Sequence, residues 1–167
     1  MNIYRLYDDY RQARRILSTD ETPELSVENA ITLLDRHFGI RSRKTEGSFF
    51  ITTQGMQILD LYLIREGDEY AVPMEAGEIL KYFWGHRDFE GILNFHNHPS
   101  GWCRESKRDV SFNAQLREAV HRQLGKQYLG GYIVTDTEHV RIHDHLHQYR
   151  QVFLRDYLDW KDPDPIR

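Results

Sequence analysis

Residues 91–109 read GILNFHNHPSGWCRESKRD, and this stretch gives the clearest indication of the fold of the chain. Residues 91–95 form a nearly continuous apolar run, which is typical of a central strand buried on both faces. Ser106 and Asp109 have the spacing of a capping box, which indicates the first turn of a helix. The stretch therefore predicts a buried strand, a short loop and a helix in direct succession.

Two histidines, His96 and His98, stand two residues apart at the end of the predicted strand. Side chains alternate along a strand, so these two imidazoles face the same way and Asn97 between them faces the other way. Their Cα atoms are expected ~6.5–7 Å apart. Two imidazoles at this separation can bind one zinc ion with bonds of ~2.0–2.1 Å.

A catalytic zinc site needs a third protein ligand and an open position for water. Asp109 is the candidate, because the positive end of the helix that it opens favours an ionised carboxylate. The Pro-Ser-Gly step at residues 99–101 suits a tight turn that brings the helix start back to the strand end. We therefore predict one catalytic zinc ion bound by His96, His98 and Asp109, which activates water for hydrolysis.

The flanking segments predict an α/β domain. Ser26 suits the N-cap of a helix that ends near Gly39, since glycine favours the left-handed position after a helix. Residues 48–52 and 57–64 predict a β-hairpin, and residues 132–142 predict a second, closing hairpin. We expect a mixed, mostly antiparallel sheet flanked by helices.

The chain has 167 residues, a length typical of one domain with short appended segments. Residues 1–24 are interpreted as a helical extension, with a short helix over residues 8–18. Residues 25–147 are assigned to a metallohydrolase domain. A C-terminal helix and tail are expected at residues 148–167.

Composition narrows the class of protein. The formal net charge is −4, so a nucleic acid partner is possible but not favoured. The basic cluster of Arg36, Arg41, Arg43 and Lys44 is interpreted as a solvated loop. No stretch approaches the ~18 apolar residues of a membrane span, and the N-terminus lacks the pattern of a secretory signal. Cys103 is the single cysteine, which excludes an internal disulfide. We expect a soluble, cytoplasmic protein without a membrane partner.

The motif residues also resemble a known family. HNHPSG at residues 96–101 and SKRD at 106–109 resemble the JAMM metallopeptidase motif, H-x-H, seven residues, S, two residues, D. The sequence HNHPSG is similar to that of the RadC-like JAB domain branch of this family. The resemblance covers residues from about 25 to 145. The resemblance implies an MPN-type, cytidine-deaminase-like α/β sandwich. It implies the same three zinc ligands, with Ser106 stabilising the oxyanion or the bound water. The chain is too short for the helix-hairpin-helix segment often found in front, so it resembles the stand-alone form.

The resemblance further implies a general base. The family uses a glutamate near the start of an earlier strand, and Glu46, just before residues 48–52, matches that position. Asp60 on the next strand is the alternative, followed by Glu66 and Glu69. In this interpretation Glu46 takes a proton from water, and the resulting hydroxide attacks the carbonyl of a peptide or isopeptide bond. Glu46 then returns the proton to the leaving amine. The substrate is then a peptide or a ubiquitin-like protein.

Two other functions stay open. The RadC resemblance suggests a DNA-repair-associated protein or a metal-dependent nuclease, which salt-sensitive DNA binding would favour. The other is a zinc-binding but catalytically weak scaffold, which applies if none of the carboxylates serves as general base.

Three further features are interpreted without a catalytic role. Cys103 beside the motif is a bystander thiol, and Trp102 is exposed or lines a substrate groove. A second group of histidines is interpreted as exposed turn residues or as partners in assembly. Its members are His139, His143, His145 and His147.

Overall fold

The computed structural model describes residues 1–6, 13–66, 76–83, 85 and 88–144. Its elements in chain order are β1 (Asn2–Arg5), β2 (Arg14–Ser18), α1 (Val27–Phe38), β3 (Gly47–Gln54), β4 (Gln57–Glu66), α2 (Ala76–Leu80), a 3-10 turn (Lys81–Phe83), β5 (Gly91–Asn97), α3 (Lys107–Ala119), a π-helical turn (Val120–Leu124), β6 (Gln127–Val134) and β7 (His139–Arg141).

The described strands form one sheet of seven, in the order β2-β1-β4-β3-β5-β6-β7. β1 runs parallel to β4 and β5 runs parallel to β6, whereas the other four neighbouring pairs are antiparallel. The predicted fold class, a mixed and mostly antiparallel sheet flanked by helices, is confirmed.

Both faces of the sheet are covered by helices. Side chains alternate along β3, so Phe49 and Ile51 pack in the core beneath α1, while Phe50 packs on the other face with α2 and α3. All seven residues of β5 are buried, with Phe95 on the α1 face and Ile92 on the other. The apolar run in the sequence is therefore explained by a central strand between two cores, and the domain is an α/β sandwich.

Helix α1 has the termini that the sequence predicts. The Ser26 hydroxyl accepts a hydrogen bond from the Asn29 N–H at 3.1 Å. Gly39 adopts φ 64°, and its N–H donates to the Asp35 carbonyl at 2.8 Å. This conformation is costly for a residue with a Cβ, which explains why the helix ends at a glycine.

The helix expected over residues 8–18 is wrong in its described part. Arg14–Ser18 is strand β2, which pairs antiparallel with β1 at the edge of the sheet, and residues 7–12 lie outside the described residues. The expected helix needed Ile16 or Leu17 on a buried face, but both side chains are exposed. Residues in β2 instead pair their backbone with the free edge of β1, a partner that local periodicity does not reveal.

The predicted C-terminal helix and tail, residues 148–167, lie outside the described residues. The boundaries proposed after residues 24 and 147 stay predictions. Within the described part of the chain, no helix is both long and apolar enough to cross a membrane.

A buried ion pair joins α3 to the segment after β7. The guanidinium of Arg117 contacts the carboxylate of Asp144, and the two side chains are only 4% and 1% exposed. Burial lowers the pKa of Arg117, and the nearby Asp144 charge opposes that shift without cancelling it. Because neither charge is solvated, each is stabilised by its contact with the opposite charge.

We expect Asp144→Ala to lower the free energy of unfolding by about 3–5 kcal/mol, because it leaves the Arg117 charge buried without its carboxylate. Denaturant unfolding measures the loss. Replacing both residues by apolar side chains, Arg117→Met with Asp144→Leu, is expected to recover most of it.

The exposed pair of Glu118 and Arg122 on the same helical segment is the matched control for this prediction. Glu118→Ala is expected to cost under ~1 kcal/mol, since exposed ion pairs contribute little. An Asp144→Ala variant as stable as Glu118→Ala would contradict the prediction.

Candidate metal centre

The two histidines of the motif lie where strand β5 ends. His96 pairs with Ser48 of β3 and with Ile133 of β6, and its side chain is largely buried. The His98 N–H donates to the Val134 carbonyl at 3.0 Å, which continues the strand pairing by one residue. As predicted from strand alternation, the imidazoles face one side, and their Nε2 atoms are 3.0 Å apart.

A backbone carbonyl determines which nitrogen of His98 carries the proton. Nδ1 of His98 lies 2.9 Å from the carbonyl oxygen of Trp102. A carbonyl only accepts hydrogen bonds, so Nδ1 must donate, and in the neutral ring Nε2 keeps its lone pair for a ligand. Metal-binding histidines are typically oriented in this way by a second hydrogen bond.

Asp109 completes the group from the first turn of α3. The predicted capping box is present: the Ser106 N–H donates to Asp109 Oδ2 at 2.9 Å, and the Asp109 N–H donates to the Ser106 hydroxyl at 3.1 Å. The same carboxylate places Oδ1 3.3 Å from His96 Nε2 and Oδ2 3.5 Å from His98 Nε2. The helix cap therefore also fixes the carboxylate against both imidazoles.

The electrostatics favour an ionised Asp109. Burial alone would raise the pKa of this carboxyl, but hydrogen bonds with His96 and His98 and from the Ser106 N–H outweigh it and hold the pKa well below its usual range. Burial alone would likewise lower the pKa of His98, but its contacts with Asp109 and the Trp102 carbonyl raise it. Asp109 is thus an anion at neutral pH, as a metal ligand must be.

Glu46 reaches the same centre from the residue just before β3. Its Oε1 atom is 4.0 Å from His96 Nε2. Possible ligand atoms of Glu46, His96 and His98 all lie within 4.8 Å of one another. The Glu46 side chain is 48% exposed whereas that of Asp109 is 15% exposed, and the Asp109 carboxylate lies nearer to His96 Nε2, at 3.3 Å against 4.0 Å. Asp109 and Glu46 are thus both candidates for a third ligand beside the two imidazoles, and Asp109 is the more buried of the two.

The spacing of the donor atoms fits a tetrahedral ion. Ligands bonded at ~2.0–2.2 Å to tetrahedral zinc lie ~3.3–3.5 Å from each other. The two Nε2 atoms are 3.0 Å apart, Asp109 Oδ1 lies 3.3 Å from His96 Nε2, and the other carboxylate oxygen, Oδ2, lies 3.5 Å from His98 Nε2. Two imidazoles and one carboxylate are also a donor set that zinc accepts, and three protein ligands leave a fourth position for water.

Ser106 is held at the edge of this centre as the N-cap of α3. Its hydroxyl oxygen accepts from the Asp109 N–H, so the hydroxyl proton is left to donate to another group.

Two of the other carboxylates considered as general base, Asp60 and Glu66, have partners elsewhere in the structure. Asp60 accepts a hydrogen bond from the Asn2 N–H and pairs with Thr52, four residues along β3 from the partner of His96, a span of ~13 Å. Glu66 forms ion pairs with Arg5 and Arg43. Burial opposes ionisation of Glu66, but these hydrogen bonds outweigh it and lower its pKa, which makes it a weak base. Glu69 lies outside the described residues.

The sequence did not reveal the carbonyl of Trp102 as a partner of His98. It is a backbone atom, and the sequence signals only a turn at residues 99–101, where Gly101 adopts φ 81° in the structure. The Trp102 side chain is exposed, and the half-buried Cys103 thiol lies 4.0 Å from the Ile133 carbonyl. Among the described residues, no second group of histidine, cysteine or acidic side chains is arranged to hold a metal.

Two members of the second histidine group, His145 and His147, lie outside the described residues. His139 starts β7, and the His143 N–H donates to Glu105 Oε2 at 2.6 Å. Within the described ranges, these two residues are thus part of the closing hairpin and its exit.

Comparison with known proteins agrees with this geometry. The family model of the RadC-like JAB domain matches residues 25–146, a range that includes every residue of the metal centre. No curated protein sequence matches the chain. The family is metal-dependent, and the match supports a metal-dependent hydrolase at this site. From the motif, the sandwich fold and the family match together, the chain belongs to the family of RadC-like JAB domains.

Proposed function

We propose that the protein is a zinc-dependent hydrolase of peptide or isopeptide bonds, with zinc held by His96, His98 and Asp109. The observation that supports the proposal is the convergence of the two imidazole Nε2 atoms and the Asp109 carboxylate, whose nearest contacts are 3.0–3.5 Å, with a further group, Glu46, beside them. A zinc ion bound there supplies a Lewis acid that makes water acidic near neutral pH and polarises a carbonyl.

Glu46 is the general base in this proposal. Its carboxylate is half exposed and lies 4.0 Å from His96 Nε2, so it can face both solvent and the ion. Glu46 accepts the proton that water loses as the water oxygen adds to the carbonyl carbon. It then delivers that proton to the nitrogen as the C–N bond breaks. An amide needs this second step, because an unprotonated amine leaves poorly.

Ser106 stabilises the negative charge that develops on the carbonyl oxygen. Its hydroxyl oxygen is fixed by the Asp109 N–H, so the hydroxyl proton can be directed at the substrate without reorganisation. The exposed Trp102 side chain, in the loop next to the centre, offers an apolar surface for the chain on one side of the scissile bond.

Contacts of the three arginines of the basic cluster argue against a nucleic acid substrate. Arg41 donates to the Thr135 carbonyl at 2.8 Å, Arg43 is paired with Glu66, and Arg36 is paired with Glu21. Because these guanidinium groups already bind groups of the protein, they are poorly suited to grip phosphates. A metal-dependent nuclease is therefore the less favoured alternative.

The test is hydrolysis of a fluorogenic peptide and of a ubiquitin-like isopeptide conjugate. We expect a chelator to abolish turnover and added zinc to restore it. Asp109→Asn is expected to lose zinc on dialysis and to be inactive, because an amide cannot supply the anionic ligand. Zinc content is measured on the same samples.

Glu118→Gln, which removes an exposed carboxylate from the same helix, is the matched control and is expected to keep both zinc and activity. DNA cleavage without amide hydrolysis would instead assign the site to a nuclease. Full turnover in the chelated protein would exclude a metal mechanism altogether.

A further inference from the structure

The asparagine between the two histidines has a function of its own in the structure. Asn97 is 1% exposed and lies on the face of β5 opposite His96 and His98. Its Oδ1 accepts a hydrogen bond from the Gly47 N–H at 2.7 Å, and its Nδ2 donates to the Thr45 carbonyl at 3.0 Å. The one side chain thus binds the residues immediately before and after Glu46.

These two hydrogen bonds constrain the backbone of Glu46 directly. The Thr45 carbonyl belongs to the peptide group that precedes Glu46, and the Gly47 N–H belongs to the one that follows it. Because both groups are bound by one rigid amide, the φ and ψ angles of Glu46 between them are restricted. The bond with the Gly47 N–H is buried, so water cannot easily replace it, whereas the bond with the Thr45 carbonyl is partly buried.

The sheet does not hold Glu46 in this way. Pairing of β3 with β5 starts at Ser48, opposite His96, and pairing with β4 starts at Gly47. Glu46 precedes the paired residues of β3 on both sides, so no neighbouring strand holds its backbone. The Asn97 side chain provides hydrogen bonds to the peptide groups on either side of Glu46 instead. The approach is close: a Cβ on Gly47 would lie 3.0 Å from the Phe49 ring and 3.3 Å from the Arg65 carbonyl, so a larger residue does not fit without shifts.

We infer that Asn97 is a positioning residue that holds the Glu46 carboxylate at the metal centre. The inference rests on the proposed function of Glu46 as general base. Alternation along β5 explains how one strand does both tasks: His96 and His98 bind the metal from one face, and Asn97 orients the base from the other. Catalytic groups misplaced by about 1 Å can lose on the order of 100-fold in rate.

The first test compares Asn97→Ala with the wild type in the hydrolysis assay. We expect kcat to fall about 10–100-fold with KM nearly unchanged and with full zinc content, since no metal ligand is touched. In the Glu46→Gln background, Asn97→Ala is expected to cause no further loss, because it acts through Glu46. Asn97→Thr, which is well suited to a strand, replaces the alanine variant if that fails to fold.

Asn94→Ala is the matched control. Asn94 is also 1% exposed on β5, but its amide donates to the Ser48 hydroxyl and the Phe49 carbonyl, not to residues beside Glu46. We expect it to destabilise the protein as Asn97→Ala does, with a much smaller effect on kcat. Equal losses of kcat in both variants, or a further loss in the Glu46→Gln background, would reduce Asn97 to a structural residue.

A second measurement requires neither metal nor turnover. In metal-free protein, Asn97→Ala is expected to speed hydrogen exchange of the Gly47 amide about tenfold and to shift the NMR signal of the Glu46 carboxylate. Asn94→Ala should leave both unchanged. If the wild type hydrolyses no amide, the proposed function fails, and these signals still decide whether Asn97 orients Glu46. Unchanged signals in Asn97→Ala would overturn the inference.

Discussion

Alanine at both His96 and His98 is expected to remove the metal from the protein and to abolish hydrolysis. The two Nε2 atoms are 3.0 Å apart and supply two of the three proposed ligands. Asp109 alone cannot hold the ion against water. Metal analysis of the purified double variant measures the loss directly. One full equivalent of zinc in that variant would contradict the assignment.

Thermal unfolding gives an independent measure of the same change. A ligand that binds only the folded state stabilises it by an amount that grows with the logarithm of its concentration over its Kd, so added zinc is expected to raise the Tm of the wild type. The double variant is expected to show no such increase. His139→Ala, which removes a histidine outside the proposed ligand set, is the control and should respond to zinc as the wild type does.

The second large effect is expected from Glu46→Gln, which should lower kcat by about 10²–10⁴-fold while zinc stays bound. Glutamine has the size of glutamate but cannot accept the proton from water. The Glu46 side chain is 48% exposed and outside the proposed ligand set, so neither folding nor metal content should change. Steady-state kinetics and zinc content of the same preparation test this.

Asp60→Asn is the control for Glu46→Gln, because Asp60 binds the Asn2 N–H on a distant part of the sheet. It is expected to retain wild-type kcat. If instead Glu46→Gln is as active as the wild type, Glu46 is not the base. Zinc binding without any turnover in the wild type would favour the scaffold alternative.

Much of the metal centre could be predicted from sequence because its geometry is local. His96 and His98 share a face through strand alternation alone, and Ser106 and Asp109 are brought together by the hydrogen bonds of a helix cap. The glycine at position 39 likewise indicates the end of α1. Such features depend on spacings of two to four residues, which the sequence displays.

Other features depend on partners far apart in the chain. Local periodicity predicts a helix where strand β2 lies, because Ile16 and Leu17 resemble part of an apolar helix face. Both side chains are exposed in the structure, and the strand pairs with the edge of β1. The orientation of Glu46 depends on Asn97, 50 residues from Gly47, and no periodicity connects the two.

The sequence by itself determined the order of elements around the motif, the caps of α1 and α3, and the convergence of His96, His98 and Asp109, the three proposed ligands. Only the tertiary structure decided which carboxylate stands beside them and which side chain orients it. The physical reason is that caps and strand alternation are satisfied within one turn or one strand. A base is placed by hydrogen bonds between strands, and these exist only once β3 and β5 have paired.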